Sequence, residues 1–245
     1  MSCLILNIAY KQSVHPDGIS PEALKADPET TADMLTPLLH KVWEEGKVPT
    51  DWRKGYLAKL PKKGDLRLCK NWRGIMLLST PSKILSRIIL ERIKDALDTE
   101  LQPEQAGFRK GKSCSDQIAT LRIIIIEQSM EWQSNFYLNF IDFEKAFESV
   151  DREVIWKVLK YYGVPQIFNL IQQLYDNGGT CQVIHNGKIS EAFGVNTGVR
   201  QGCLLSPIIF LIVMDWIMCQ TVGNEKTGIS WTDVKNLEDL NFTRG

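Results

Sequence analysis

The chain is 245 residues long, with 44% hydrophobic and 24% charged residues and a formal net charge of zero. That length supports one large core or two modest lobes, and the composition excludes disordered and collagen-like classes. Net neutrality removes any global signal for a polyanionic partner, so charge is informative only locally.

The opening MSCLILNIAY has a short apolar run with no basic segment before it and no cleavage site after it, so no signal peptide is expected. Residues 1–16 receive no assignment, and Pro16, Asp17 and Gly18 predict a turn. Asp27 and Pro28 read as the cap and first position of a helix. Its apolar face is Met34, Leu35, Leu38, Leu39, Val42 and Trp43, and Gly46 closes it. Pro37 predicts either a kink or a second start capped by Thr36.

Two strands are expected next, Gly55 to Leu60 and Gly74 to Leu78, joined by a lysine-rich loop through Gly64. Between Arg53 and Arg73 stand Lys54, Lys59, Lys62, Lys63, Arg67 and Lys70, against Asp65 alone. Such a cluster is usually a solvated face. Here Trp52, Tyr56 and Trp72 are interleaved with it, which makes a nucleic-acid surface an equal alternative. Thr80 and Pro81 open an amphipathic helix (Ile84, Leu85, Ile88, Ile89, Ile93, Leu97) that ends before Pro103. After the loop from Gly107 to Ser113, a further helix is expected from about Ser115 to Met130.

The stretch Phe136 to Asp151, FYLNFIDFEKAFESVD, alternates as a strand with Phe136, Leu138 and Phe140 on one side, and turns acidic at Asp142. A carboxylate at the end of a strand suits a metal site, because Mg²⁺ tolerates little geometric error. An Asp capping the following helix is an equal alternative. Two helices are expected around Gly163, Val164 and Pro165. Thr180 to His185 and Lys188 to Phe193 alternate around Asn186 and Gly187, the strongest short-range hairpin signal. Ser206 and Pro207 begin a buried helix; the apolar run Leu204 to Met218 that contains it is interrupted and too short to span a bilayer. The six cysteines are scattered without zinc-like spacing and read as reduced thiols of an intracellular protein. Mixed helices and short antiparallel strands predict an α+β fold.

Four segments fall into one pattern: KGYLAKLPKKGD with NWRGIMLLS, QAGFRKGKS, FIDFEKAFESVDR and TGVRQGCLLSP. In this order and spacing they resemble the reverse transcriptase domain of non-LTR (LINE-type) retrotransposons, from about Asp17 to Phe242. The resemblance implies the fingers and palm of a right-hand polymerase, with residues 17–130 as fingers and 131–245 as palm. It implies an RNA-directed DNA polymerase that adds deoxynucleotides to a primer 3′-hydroxyl by two-metal phosphoryl transfer. The implied cofactor is Mg²⁺, and the implied partners are an RNA template, a DNA primer and deoxynucleoside triphosphates, in cytoplasm, nucleus or both, with no membrane. Asp142 then matches the catalytic metal ligand. Lys62 or Lys63, with Arg73, match the basic residues that grip the triphosphate, where Arg offers a two-pronged donor and Lys a compact charge. Phe147 matches the ring under the sugar, and Gln201 and Gly202 the segment near nucleotide and template. Gly107, Phe108 and Arg109 resemble a template-side loop. Read without the resemblance, Phe147 is a core aromatic, the lysines are solvated, and Gln201 with Gly202 forms a tight turn before Ser206.

The match fails at Leu237 to Gly245, LEDLNFTRG. Aligned on Phe242, with Thr243 at the small position, Arg244 and Gly245 stand where the family has paired aspartates, and the thumb is expected to be absent. Glu148 stands where the family usually has Asp. A carboxylate near a cation contributes roughly 1 to 4 kcal/mol, and an arginine reverses the sign. At about 1.4 kcal/mol per tenfold, several decades of rate should be lost. The sequence therefore predicts a defective, truncated polymerase domain, with an RNA-binding or protein-binding remnant as the alternative.

Overall fold

A computed structural model describes residues 16–133, 135, 137–175, 180–185, 187–222, 228–232, 235–237 and 239–240. The stretch 21–45 is helical, and its caps are explicit. Ser20 caps α1 (Pro21–Ala26), and the Asp27 side chain accepts from the Thr30 amide at the start of α2 (Pro28–Glu45). Gly46 ends α2 in the left-handed conformation. The helix runs unbroken through Pro37, so the second start predicted at Thr36 does not occur; the Thr36 hydroxyl instead donates to the Ala32 carbonyl. A short α3 (Thr50–Arg53) buries Trp52.

The sheet starts as predicted. β1 (Gly55–Pro61) and β2 (Trp72–Leu78) pair antiparallel, Gly55 opposite Leu78 and Pro61 opposite Trp72. β3 (Thr180–His185) then lies parallel to β1, with Gly55 opposite Cys181. The chain turns through Gly187 at φ 73° into β4 (Lys188–Ile189), and β5 (Phe193–Gly194) returns to pair with the start of β3. The strand expected over Lys188 to Phe193 is thus split. At the break Ser190 exchanges its amide and hydroxyl with the Val183 backbone, which replaces a regular ladder step. The order β2-β1-β3-β4 joins sequence regions more than a hundred residues apart.

Helices share one buried core with Met76, Leu78 and Cys181 of this sheet. α4 (Thr80–Glu100) buries Ile84, Leu85, Ile89, Ile93 and Leu97 at a helical spacing, and α5 (Cys114–Ile126) continues into a π turn at Glu127–Glu131. After a short α6 (Ala146–Ser149), Asp151 caps α7 (Arg152–Tyr161), and α8 (Pro165–Tyr175) follows the Gly163 turn. α9 (Ser206–Val222) is apolar on every side, and Ile209 to Val213 are fully enclosed in the core. A separate two-stranded ribbon pairs β6 (Ile229–Thr232) with β7 (Lys235–Leu237). No helix of the described residues is long and apolar enough to cross a membrane.

One expectation is corrected. The strand predicted to end at Asp142 is not formed: residues 137–143 have no ladder partner among the described strands. Tyr137 is 92% exposed and Phe140 83%. Alternation shows only that a segment could bury one face; a strand forms when a neighbour supplies its hydrogen bonds. The first strand of the hairpin expected around Asn186 and Gly187 pairs with β1, and Asn186 itself lies outside the described residues.

Candidate active site

Between the β1–β2 hairpin, α6 and the start of α9 lies a cleft of about 800 Å³. The hairpin brings Lys62, Lys70, Asn71 and Arg73 to its wall. The exposed segment before α6 brings Asp142 and Glu144, and α6 itself brings Phe147 and Glu148. Gln201 and Gly202 line it from the loop before α9, and Gln105 and Phe108 from the loop after α4. Of the residues singled out in the sequence, Asp142, Lys62, Arg73, Phe147, Gln201, Gly202 and Phe108 thus converge on one cavity. Lys63, Gly107 and Arg109 do not line it.

The loop before α9 holds the cleft together by backbone contacts. The Gly198 and Val199 amides donate to the Val150 and Phe147 carbonyls, each at 2.7 Å, and the Gln201 carbonyl accepts from the Met76 amide of β2 at 2.6 Å. One loop therefore ties the basic hairpin to α6. Two glycines make that fit possible. At Gly198, φ 71°, a β-carbon would lie 2.7 Å from the Glu148 α-carbon, and at Gly202, φ 101°, one would lie 2.6 Å from the Met76 carbonyl oxygen.

Phe147 packs as a core aromatic and also lines the cleft. Its ring stacks on Phe210 of α9, centroids 4.4 Å apart, and meets Phe108 edge-on at 6.5 Å, while still lining the cleft. Arg109 is a different case. Its guanidinium donates to the Asp98 carboxylate at 2.7 Å and to the carbonyls of Asp98, Gln102 and Gln105, so it closes the C-terminal end of α4. The Gly107 amide donates to Gln105 Oε1. Asp142 does not cap a helix; the residue before α6 is Lys145, with no side-chain cap, and Asp151 caps α7.

Sequence reasoning missed the support beneath the loop. Arg152 and Arg200 are both buried and converge on the Tyr175 carbonyl, at 2.8 and 3.4 Å. Arg152 also donates to the Gly198 carbonyl at 3.2 Å, and Ser206 Oγ donates to the Arg200 carbonyl at 2.6 Å. Burial pushes the Tyr175 phenol well above its ordinary range, and its hydroxyl pairs with Ser206 Oγ at 2.7 Å. The sequence signals are positional only: Arg200 stands inside the Arg-Gln-Gly run and Arg152 at the end of FIDFEKAFESVDR.

For a hard cation such as Mg²⁺, the cleft offers the exposed Asp142 carboxylate, with Glu144 and Glu148 on the same wall. Among the described residues no three His, Cys, Asp or Glu side chains come together. That donor set fits an ion held by one or two carboxylates and completed by ligand oxygens and water, which is how Mg²⁺ commonly binds beside phosphates. Phe242, Thr243, Arg244 and Gly245 lie outside the described residues.

Residues 60–232 match the family profile described as reverse transcriptase (RNA-dependent DNA polymerase). The chain is 33% identical over 211 residues to the transposon TX1 uncharacterized 149 kDa protein of Xenopus laevis, covering 86% of this chain and 16% of that protein. It is 28% identical over 212 residues to the retrovirus-related Pol polyprotein from type-2 retrotransposable element R2DM of Drosophila melanogaster, covering 86% of this chain and 19% of that one. The chain therefore spans less than a fifth of either relative. Among solved structures, apo telomerase from Candida tropicalis overlays with a TM-score of 0.47 at 14% identity, covering 78% of this chain and 44% of that one.

Proposed function

Because the chain belongs to the reverse transcriptase family, in its non-LTR, LINE-type branch, we propose that the cleft binds a deoxynucleoside triphosphate against an RNA template and adds it to the 3′-hydroxyl of a DNA primer. The observation that carries this reading is the convergence of Asp142, Phe147, Lys62, Arg73, Gln201 and Gly202, from distant parts of the chain, on one cavity. Phosphoryl transfer needs little covalent help from the protein; it needs positioning and compensation of charge on the phosphate.

Lys62 and Arg73 would supply positive charge to the same cleft that Asp142 lines with its carboxylate. The Phe147 ring, stacked on Phe210, would offer an apolar surface under a bound sugar. Such a surface disfavours a 2′-hydroxyl, which would lose its hydrogen bonds there. Gly202 leaves backbone room beside β2, and Gln201 is held at that point through its own carbonyl. Mg²⁺, held by Asp142 and phosphate oxygens, would neutralise the charge that builds during transfer. Arg244 and Gly245 in place of paired aspartates set the expected rate several decades below that of a site with both.

The test is primer extension on an RNA template with Mg²⁺, the parent chain against Asp142→Ala. Incorporation that falls at least about a hundredfold in the variant supports the reading. Incorporation unchanged by the substitution sinks it. No incorporation by either chain, with salt-sensitive retention of RNA, would make a non-catalytic RNA-binding domain the better description.

A further inference from the structure

The loop between β1 and β2 brings Lys62 and Lys70 to the cleft, with Arg73 just beyond it in β2, yet its own sequence, KKGDLRLCK, should not hold a shape. Lys62, Lys70 and Arg73 all line the cleft, and among the described residues none of the three has a carboxylate within ion-pair distance. Like charges on a short loop repel and splay it. The structure shows what opposes this. The Asn71 carbonyl accepts from the Lys62 amide at 2.8 Å, and Asn71 Nδ2 donates to the Asp65 carbonyl at 2.7 Å. The Asn71 amide itself donates to the Leu68 carbonyl at 3.0 Å. One residue thus bonds to the start, middle and end of the loop. Gly64, at φ 118°, leaves the space its side chain occupies; a β-carbon there would lie 2.9 Å from Asn71 Nδ2. Trp72 adds a further tie, its indole donating to the Leu66 carbonyl at 2.9 Å.

We propose that Asn71 is the positioning residue of the basic loop, and that Lys70 joins Lys62 and Arg73 as a third cation preset to receive a triphosphate. The proposal rests on the polymerase reading above. An amide does this work where a carboxylate cannot, because the atom facing the Asp65 carbonyl must donate. Holding the three cations in place before binding removes an ordering cost that the ligand would otherwise meet. Asn71 acts through the loop; its amide group is committed to Asp65.

The experiment uses the full 245-residue chain, with Asn71→Ala, the isosteric Asn71→Asp, Gly64→Ala, and Arg73→Ala as a reference for direct phosphate contact. Loop order is read from hydrogen exchange at the Lys62 amide and from tryptic cleavage after Lys63 and Arg67. Ligand binding is read by titrating a fluorescent deoxynucleoside triphosphate with Mg²⁺, and in parallel a short single-stranded RNA lacking a triphosphate. Losing one hydrogen bond should raise exchange and cleavage, and weaken triphosphate binding, by about three- to tenfold. Asn71→Asp should behave like Asn71→Ala, with the thermal midpoint of both hardly moved, while Gly64→Ala, which also carries the strain of its positive φ, should loosen the loop at least as much. Lys70→Ala should weaken triphosphate binding without loosening the loop. Unchanged exchange and cleavage in both Asn71 variants overturns the proposal. So does a loosened loop with intact triphosphate binding in a chain where Arg73→Ala still weakens it, or a loss confined to RNA. A parent chain with no saturable triphosphate binding overturns this proposal and the polymerase reading together.

Discussion

At the scale of single residues, the loop before α9 is governed by excluded volume. Gly198 and Gly202 both have positive φ and both press on neighbouring backbone, Gly202 against the Met76 carbonyl and Gly198 against α6. Backbone cannot rotate away as a side-chain end can, so Gly202→Ala and Gly198→Ala should each destabilise the chain by roughly 1 to 3 kcal/mol in chemical denaturation. Gly46→Ala is the control, since nothing lies within 4 Å of a β-carbon there and only the left-handed φ is penalised. Equal losses at all three sites would show that φ alone matters and that the loop is not wedged. The same scale explains which site residues could be read from sequence. Asp142, Lys62, Arg73 and Gln201 are singled out because they match motifs of the family the chain resembles, and all four line the cleft. Arg109 sits in an equally basic motif but serves the carbonyls at the end of α4, and no residue type announces which carbonyls lack donors.

Elements, one scale up, are held together by a buried carboxylate that the sequence showed only as an interruption of an apolar run. Asp215 of α9 is 1% exposed. It accepts from the Gln102 amide, just beyond α4, at 3.0 Å and from the Tyr162 hydroxyl, at the end of α7, at 2.5 Å. Burial first, and then the bond to Asp215, push the Tyr162 phenol above its ordinary value of 10. The folded chain holds this proton more tightly than the unfolded chain does. Its contribution is therefore complete below about pH 10 and is lost as pH rises beyond that value. Tyr162→Phe should lower stability by roughly 1 to 3 kcal/mol near neutrality, because it leaves part of a buried carboxylate without a donor. It should also flatten the alkaline fall, seen as a smaller difference from the parent at pH 11 than at pH 8. A parallel pair of stability curves would remove Tyr162 from the alkaline limb. Elements with local grammar were legible in the sequence: the Asp27 cap and Gly46 stop of α2, the β1–β2 pair, and the turn at Gly187. The parallel docking of β3 on β1 was not, since its partners lie more than a hundred residues apart and neither strand encodes the other.

Over the whole molecule, the same dependence on a partner decides the fate of residues 137–143. Their alternation would build a half-buried strand, but no described strand offers it a ladder, and Tyr137, Phe140 and Ile141 stand 92%, 83% and 70% exposed. On α5, Ile118, Ile123 and Ile126 are also exposed, as is Trp132 beyond the π turn. Isolated apolar side chains on a surface are ordinary, but so many within one stretch of chain amount to a patch of the kind that drives association. An unpaired strand-forming segment adds open backbone groups that recruit other chains. The purified 245-residue chain should therefore bind an apolar fluorescent dye in its native state and self-associate with rising concentration in light scattering. Replacing Tyr137, Phe140 and Ile141 together by serine should cut both signals severalfold while the thermal midpoint stays within about 1 kcal/mol equivalent of the parent, because these side chains bury little. Serine at Ile209, Leu211 and Val213 of α9 is the opposite case, enclosed side chains whose loss should unfold the chain outright. A parent that stays monomeric and dye-free at high concentration would mean that residues 137–143 do not form an association surface.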